Sequence, residues 1–385
     1  MRRFVESKCQ NVVIEGGSIR GELTPAIYPE YRTVQRKLER IETATKQIAR
    51  SFVVSLVSQY DSFLGALVRV MLYLKPGMIN SSDRSMTFKE LSIFSSIDEA
   101  KEFIVEKEVE TLIRKSHSEQ FDWMEKKFSI QLRKDLASWP RFVEVTERRN
   151  LIVHCDCRVS SQYLAVCQSN GVQCAEIKLG AELPVTRKYF TDAYECIFEV
   201  GIKLAQVLWR KLMPSQLNEA DANLNQVTLE LLNLGRYRLA KELLDFAACV
   251  LKKWASEADR KVHILNRAQA HKWLGEEDAC RKILDLEDWS AVENKFSLGV
   301  AVLRDDFDGA AQWMKKIGGQ DTQVADGYRD WPIFREFRNL LQFKVTYKEL
   351  FGKDFSGLPD NQHDITLQLP VSGKKSEQAG LAPKK

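Results

Sequence analysis

Apolar residues recur at helical spacing along most of this chain. From about Glu30 they run Val34, Leu38, Ile41, Ile48, Phe52, Leu56, Tyr60, Phe63, Leu67 and Val70. This predicts a long helix broken at Lys75-Pro76-Gly77, since proline lacks the amide that a helix needs. After a polar loop, Asn80 to Arg84, further helices are predicted at 87–94, 97–116 and 118–128. Pro140 suits the first turn of another, with Ser138 or Trp139 before it; Phe142, Val143, Leu151, Ile152 and Val153 carry that helix to about Val153. A last one spans Thr186 to about Leu212 and stops before Pro214. Two departures from helix are expected. Asn11-Val12-Val13-Ile14-Glu15 before Gly16-Gly17 suggests a short strand and turn in a weakly structured arm. Asn170-Gly171, between Tyr163–Val166 and Val172–Ile177, suggests a hairpin.

The second half repeats itself weakly. Leu234-Gly235-Arg236-Tyr237, with Ala240 three residues on, is echoed by Leu274-Gly275-Glu276-Glu277 with Cys280, and again by Leu303-Arg304-Asp305-Asp306-Phe307 with Ala310. Leu-Gly-x-aromatic followed by a small residue resembles the hinge of tetratricopeptide (TPR) repeats, whose small residues let paired helices approach. Residues 215–320 are therefore expected to be TPR-like, with an ordinary helical domain as the plainer alternative. The fold class is all-α in the main. The expected domains are an N-terminal arm at 1–30, a helical bundle at 31–213, a TPR-like domain at 214–353 and a disordered tail at 354–385, polar and rich in small residues.

Composition narrows the class. With 44% hydrophobic and 29% charged residues over 385 positions, the chain can bury a sizeable core. A net charge of +4 permits nucleic-acid binding without arguing for it. Ser51–Leu74 is the one candidate span, but Gln59, Asp61 and Arg69 interrupt it, so a buried amphipathic helix and no membrane contact are expected. Met1-Arg2-Arg3 is followed by no apolar leader core. Eight scattered cysteines in so long a chain point to free thiols in a cytoplasmic setting. A zinc site from His154, Cys155, Cys157, Cys167 and Cys174 would lack the usual C-x2-C knuckle, so no metal or other cofactor is expected.

Chemistry concentrates in Thr146-Glu147-Arg148-Arg149-Asn150-Leu151-Ile152-Val153-His154-Cys155-Asp156. Only five histidines occur in the chain, and this one sits beside arginines, an amide and an aspartate, the groups that act on a phosphodiester. Arg149, Asn150 and His154 resemble the signature of the HEPN superfamily, whose ribonuclease branch carries Arg, a polar residue, three variable residues and His. The likeness covers about residues 45–210. It departs after the histidine, where Cys155-Asp156 stands in place of the Asn or Asp many members have, leaving the role of Asp156 open.

Residues four apart on a helix lie about 40° apart around the axis, and residues five apart about 140°. Asn150 and His154 therefore share a face while Arg149 points elsewhere. The resemblance implies a homodimer with a composite site that cuts RNA without a metal. The 2'-hydroxyl attacks the adjacent phosphorus, leaving a 2',3'-cyclic phosphate and a 5'-hydroxyl. In that scheme His154 is the general acid or base, Arg149 stabilises phosphoryl charge, and Asn150 orients His154 or the phosphate. The resemblance also implies a toxin or antiviral-defence effector, its TPR-like half holding a protein partner or regulator. The alternative is a non-catalytic HEPN protein, a nucleotide-binding or scaffolding bundle with a TPR-like partner-binding module. Two structural roles compete for these residues: His154 could cap the helix's last carbonyls, and Arg148 is expected to pair with Glu144 on an exposed face. Arg149 finds no acidic residue at i−4 or i+4.

Overall fold

The computed structural model describes residues 2–15, 18–75, 77, 86–134, 136–319 and 322–356. It is all-α, and among the described residues the only sheet is one two-stranded ribbon. The arm has more structure than its sequence suggests. Helix α1 (Arg2–Lys8) packs on an antiparallel pair, β1 (Gln10–Glu15) and β2 (Ser18–Glu22), which sets Val13 opposite Arg20 and Ile14 opposite Ile19. Gly21 permits this approach, because a Cβ there would lie 2.8 Å from that of Cys9. The Gly16-Gly17 turn lies outside the described residues, as do the Asn80–Arg84 loop and the tail from residue 357.

Helix α2 (Tyr28–Leu74) ends one residue before the Lys75-Pro76-Gly77 breaker. It is also the one helix among the described residues that is long and apolar enough to cross a membrane. The expectation that Ser51–Leu74 is buried holds for one face only. Val53, Val57, Tyr60, Leu64 and Val68 are buried, while Phe52, Val70 and Tyr73 are exposed. Helices α3 (Phe88–Leu91), α4 (Ile97–Ile113) and α5 (His117–Phe128) follow, started by Thr87, Ser96 and Ser116, each accepting a hydrogen bond from the amide three residues on.

Next come α6 (Trp139–His154), α7 (Ser161–Ser169) and α8 (Arg187–Leu212). The hairpin expected at 163–177 is absent, because its first arm is α7. Ser160 caps that helix, Tyr163 and Cys167 bury at i and i+4, and Asn170 with Gly171 ends it. A four-residue apolar run fits either period, and the cap decided in favour of helix. The bundle core gathers Tyr60 and Leu64 of α2, Val109 of α4, Phe121 of α5, Phe142 and Val145 of α6, and Val200 and Leu204 of α8.

Contacts divide the chain into compact units at 1–286 and 287–385. In the first, α8 is shared between two layers. Its Phe198 and Ile202 face a second cluster, built by Leu231 and Leu232 of α9 (Leu217–Asn233), Leu243 of α10 (Tyr237–Val250) and Ala270 of α11 (Glu257–Trp273). Packing therefore continues across Pro214 instead of stopping there. Helix α12 (Glu277–Asp285) pairs with α11. The second unit contains α13 (Asn294–Leu303), α14 (Phe307–Ile317), α15 (Thr322–Asp330) and α16 (Leu341–Phe351) around Phe296, Phe334, Phe337 and Phe343.

All three sequence echoes are helix–turn–helix hinges with one hydrogen-bond pattern. Gly235, Gly275 and Asp305 take the left-handed conformation, with φ of 69°, 79° and 60°. Each donates its amide three residues back, to Leu232, Lys272 and Val302, while the next amide reaches Leu231, His271 and Ala301. Five residues beyond each left-handed position stands a buried small side chain: Ala240, Cys280 or Ala310.

One buried group makes the stability of the first unit depend on pH. His263 of α11 packs on Trp254 at 4.6 Å between ring centroids, and burial pushes its pKa down to about 4 against the opposing pull of Asp221. The folded ring stays neutral where the unfolded one protonates, so its contribution is complete above the unfolded value near 6.5 and is lost as pH falls toward 4. Going from pH 7.5 to 5.5 should cost about 1.4 kcal/mol. Urea unfolding at the two pH values should show this loss, and His263→Leu should remove most of the slope.

Candidate active site

Helix α6 starts beneath an aromatic lid. Trp139 stacks on Phe142 at 5.6 Å, sits 4.7 Å from Phe121, and donates its indole N–H to Asn170 Oδ1 at 3.0 Å. With Phe142, Val143, Val145 and Thr146 buried, this anchoring fixes the rotation of the helix and hence where the motif residues point.

Arg149 points at α2. Its Nη2 donates to Asp61 Oδ2 at 2.9 Å, and its Nη1 donates to Asn150 Oδ1 at 3.0 Å. Asp61, an interruption of an apolar run in the sequence, is thus the acidic partner that α6 itself does not supply. Its other oxygen lies 2.9 Å from His117 Nε2; an ionised carboxylate only accepts, so the imidazole donates there. His117 opens α5 and is buried against Phe142, with centroids 5.7 Å apart and ring planes near perpendicular. Asn150 donates to Glu147 Oε1 at 3.3 Å. Burial raises the Glu147 pKa above the usual carboxylate range, with Asn150, His117 and Arg149 pulling it back. One polar chain thus runs His117–Asp61–Arg149–Asn150–Glu147. Two of the five guanidinium N–H donors of Arg149 are engaged, and its side chain remains 25% exposed.

His154 is placed differently. It is the last residue of α6 and is exposed, whereas the other described histidines, His117, His263 and His271, are buried. Its side chain makes no hydrogen bond with a described residue, so no bond to the last carbonyls supports the capping role. The turn after it is held tightly. Asp156 and Cys157 both take left-handed φ, 48° and 61°, a costly arrangement for two consecutive non-glycine residues. Arg50 of α2 braces them, donating to Asp156 Oδ1 at 2.6 Å and to Glu182 Oε1 at 3.0 Å, while the Cys157 amide donates to Leu151 O at 3.0 Å. Asp156 is therefore an anchor of the turn, the role its sequence context left open.

Arg148 pairs with Glu144 as expected, but not on an exposed face: Arg148 is buried and Glu144 half-buried. Its Nε donates to Glu144 Oε1 at 2.9 Å, its guanidinium lies 4.5 Å from the centre of the Tyr189 ring, and the Tyr163 and Tyr189 hydroxyls donate to the same carboxylate at 2.9 Å each. Burial, reinforced by the Glu144 anion, raises both phenol pKa values. Cys157, Cys167 and Cys174 are buried thiols, and no group of three or more His, Cys, Asp or Glu residues among those described is arranged to hold a metal ion.

The sequence motif thus puts Arg149 and Asn150 in one polar network and His154 outside it. Sequence reasoning missed Asp61, His117 and Glu147. The usable signal was a lone aspartate within an apolar helical stripe, which asks for a buried cation. The chain matches no protein-family model, no curated protein and no solved structure.

Proposed function

We propose that this chain is a HEPN-type, metal-independent endoribonuclease, acting in the cytoplasm as a toxin or antiviral-defence effector. The observation that carries this is the exposure of His154, alone among the described histidines, at the end of the helix on which Arg149 and Asn150 are fixed. His154 takes the proton from the 2'-hydroxyl as that oxygen attacks phosphorus, or gives one to the departing 5'-oxygen; the P–O5' bond breaks and a 2',3'-cyclic phosphate forms. Arg149 has N–H donors left for the phosphoryl oxygens, and Asp61 holds the guanidinium in place. Because Arg149 and His154 diverge by about 140° on one helix, the site is completed across a homodimer paired near residues 140–158. The helix–turn–helix region holds the regulator or protein partner.

A second reading has its own support. Both Nη atoms of Arg149 are bonded within the chain, as in a purely structural ion pair, which favours a non-catalytic HEPN scaffold or nucleotide-binding protein. End chemistry separates the two. Purified protein incubated with RNA in EDTA should yield 2',3'-cyclic phosphate and 5'-hydroxyl ends at an undiminished rate. Activity lost in chelator and restored by magnesium would reject the nuclease as described, and no cleavage in either buffer would favour the scaffold.

A further inference from the structure

No residue in the first half of α2 is fully buried, although Tyr31 meets the ring of Phe4 in α1 at 6.1 Å. Every residue of the helix that is buried lies at Val53 or beyond, so more than five turns from Tyr28 stand clear of the bundle. Helices in proteins draw most of their stability from packing an amphipathic face, and this stretch packs little of its own. The face is present. Val34, Leu38, Ile41, Thr45, Ile48 and Phe52 follow one another at alternating steps of four and three, the spacing of a coiled-coil seam, with Leu38, Thr45 and Phe52 at position a and Val34, Ile41 and Ile48 at position d. Ile41 and Ile48 are 53% and 57% exposed, and among the described residues the seam's one ring contact lies at its last position, where Phe52 meets Phe190 of α8 at 5.7 Å between centroids.

We propose that α2 between Val34 and Phe52 is the seam of a parallel, in-register coiled coil between copies of this chain. The flanking charges choose this occupant. Lys37 falls at position g and Glu42 at the following e, the two positions that meet between neighbouring strands of a parallel coiled coil, so each copy offers its cation to the other's anion. Glu42 also pairs with Lys46 at 3.3 Å, but that contact is exposed and adds little. Arg32, Arg36 and Arg40 occupy the outer positions b, f and c, away from the seam. The same line along α2 stays exposed past Phe52, through Ser55, Gln59, Ser62 and Ala66, so the track a second helix would follow is open there among the described residues. Leu38 at a with Ile41 and Ile48 at d leans toward three or four strands over two, and the Thr45 hydroxyl at a is satisfied inside its own helix by the Ile41 carbonyl at 2.9 Å.

This contact is separate from the composite site proposed at α6. Arg50, which braces the turn after His154, lies at position f, opposite the seam. Neither inference depends on the other.

The test uses the full chain. Sedimentation of the parent protein should show self-association, and Ile41→Asp with Ile48→Asp should abolish that step while the unfolding midpoint of the bundle stays unchanged, because neither side chain touches it. Ile41→Cys should form a 41–41 disulfide under mild oxidation, identified by peptide mapping and absent when Ile48→Asp is also present. Lys37→Glu and Glu42→Lys should each weaken association several-fold, and the double variant should recover it. A parent that stays monomeric at tens of micromolar, or association untouched by the Asp substitutions, would overturn the proposal. So would a 41–41 link that fails to form in an associated protein, or assembly seen only after RNA or lipid vesicles are added.

Discussion

Replacing His154 with Ala should lower RNA cleavage by about 10²- to 10⁴-fold, the usual worth of a general acid or base, and leave stability where it was. The second half of that expectation comes from the structure: the side chain is exposed at a helix end and makes no hydrogen bond with a described residue. Arg149→Ala should lose a similar factor, through lost charge stabilisation in the transition state. It should also cost roughly 1–3 kcal/mol of stability, because Asp61 and His117 lose the cation that completes their chain of hydrogen bonds. Asymmetry between the two variants is thus part of the prediction. Arg149→Lys should keep most of the stability and little of the activity, since a lysine replaces a fixed fork by one point charge. Arg158→Ala is the suitable control, an exposed arginine just beyond the motif that donates to the Gly180 carbonyl at 3.3 Å. Cleavage rates on a defined RNA, measured beside urea unfolding curves, decide the matter. Full activity in both His154→Ala and Arg149→Ala would end the nuclease reading and leave the scaffold.

The largest effect on stability should come from Glu144→Ala, at about 3–5 kcal/mol, the usual cost of leaving a buried charge without its partner. Three side chains converge on that carboxylate: Arg148, Tyr163 and Tyr189. Without it, Arg148 would keep only the Tyr189 ring face and a 3.5 Å contact with the Pro184 carbonyl. Removing both charges together, with Glu144→Leu and Arg148→Met, should recover most of the loss, because well-packed apolar residues replace a buried ion pair at little cost. The denaturant midpoint should therefore fall sharply for the single variant and mostly return for the double. If Glu144→Ala unfolds with the parent's midpoint, the buried network is not what holds α6, α7 and α8 together. Arg148→Ala belongs to the same experiment: as an exposed pair it would be silent, whereas the buried geometry makes it destabilising.

How far the sequence spoke for itself depended on the range of the interaction. Helices α2, α6 and α8 were legible because their periods are long and their ends carry local signals: Lys75-Pro76-Gly77 after α2, Pro140 in the first turn of α6, Thr186 before α8. The three hinges were legible for the same reason, although the third uses Asp305 where glycine stands in the others. At residues 163–177 the local signal was ambiguous, since four apolar residues fit either period; Ser160 and the burial of Tyr163 with Cys167 resolved it.

The site divides along the same line. That Arg149, Asn150 and His154 share one helix, and that Arg149 and His154 diverge on it, follows from spacing along a single chain segment. Everything across helices had to wait for the packing. Asp61 lies 88 residues before Arg149 and His117 lies 56 after Asp61, so no local pattern joins them. Whether the Glu144–Arg148 pair is exposed or buried is decided by α7 and α8 closing over it through Tyr163 and Tyr189. The sequence determines which residues can lie on one face of a helix, because rise and rotation per residue are set by the backbone. Only the tertiary structure decides what that face meets, because the partner arrives from another part of the chain, and with it come the burial and charge that make a polar residue a brace, an anchor or an open group.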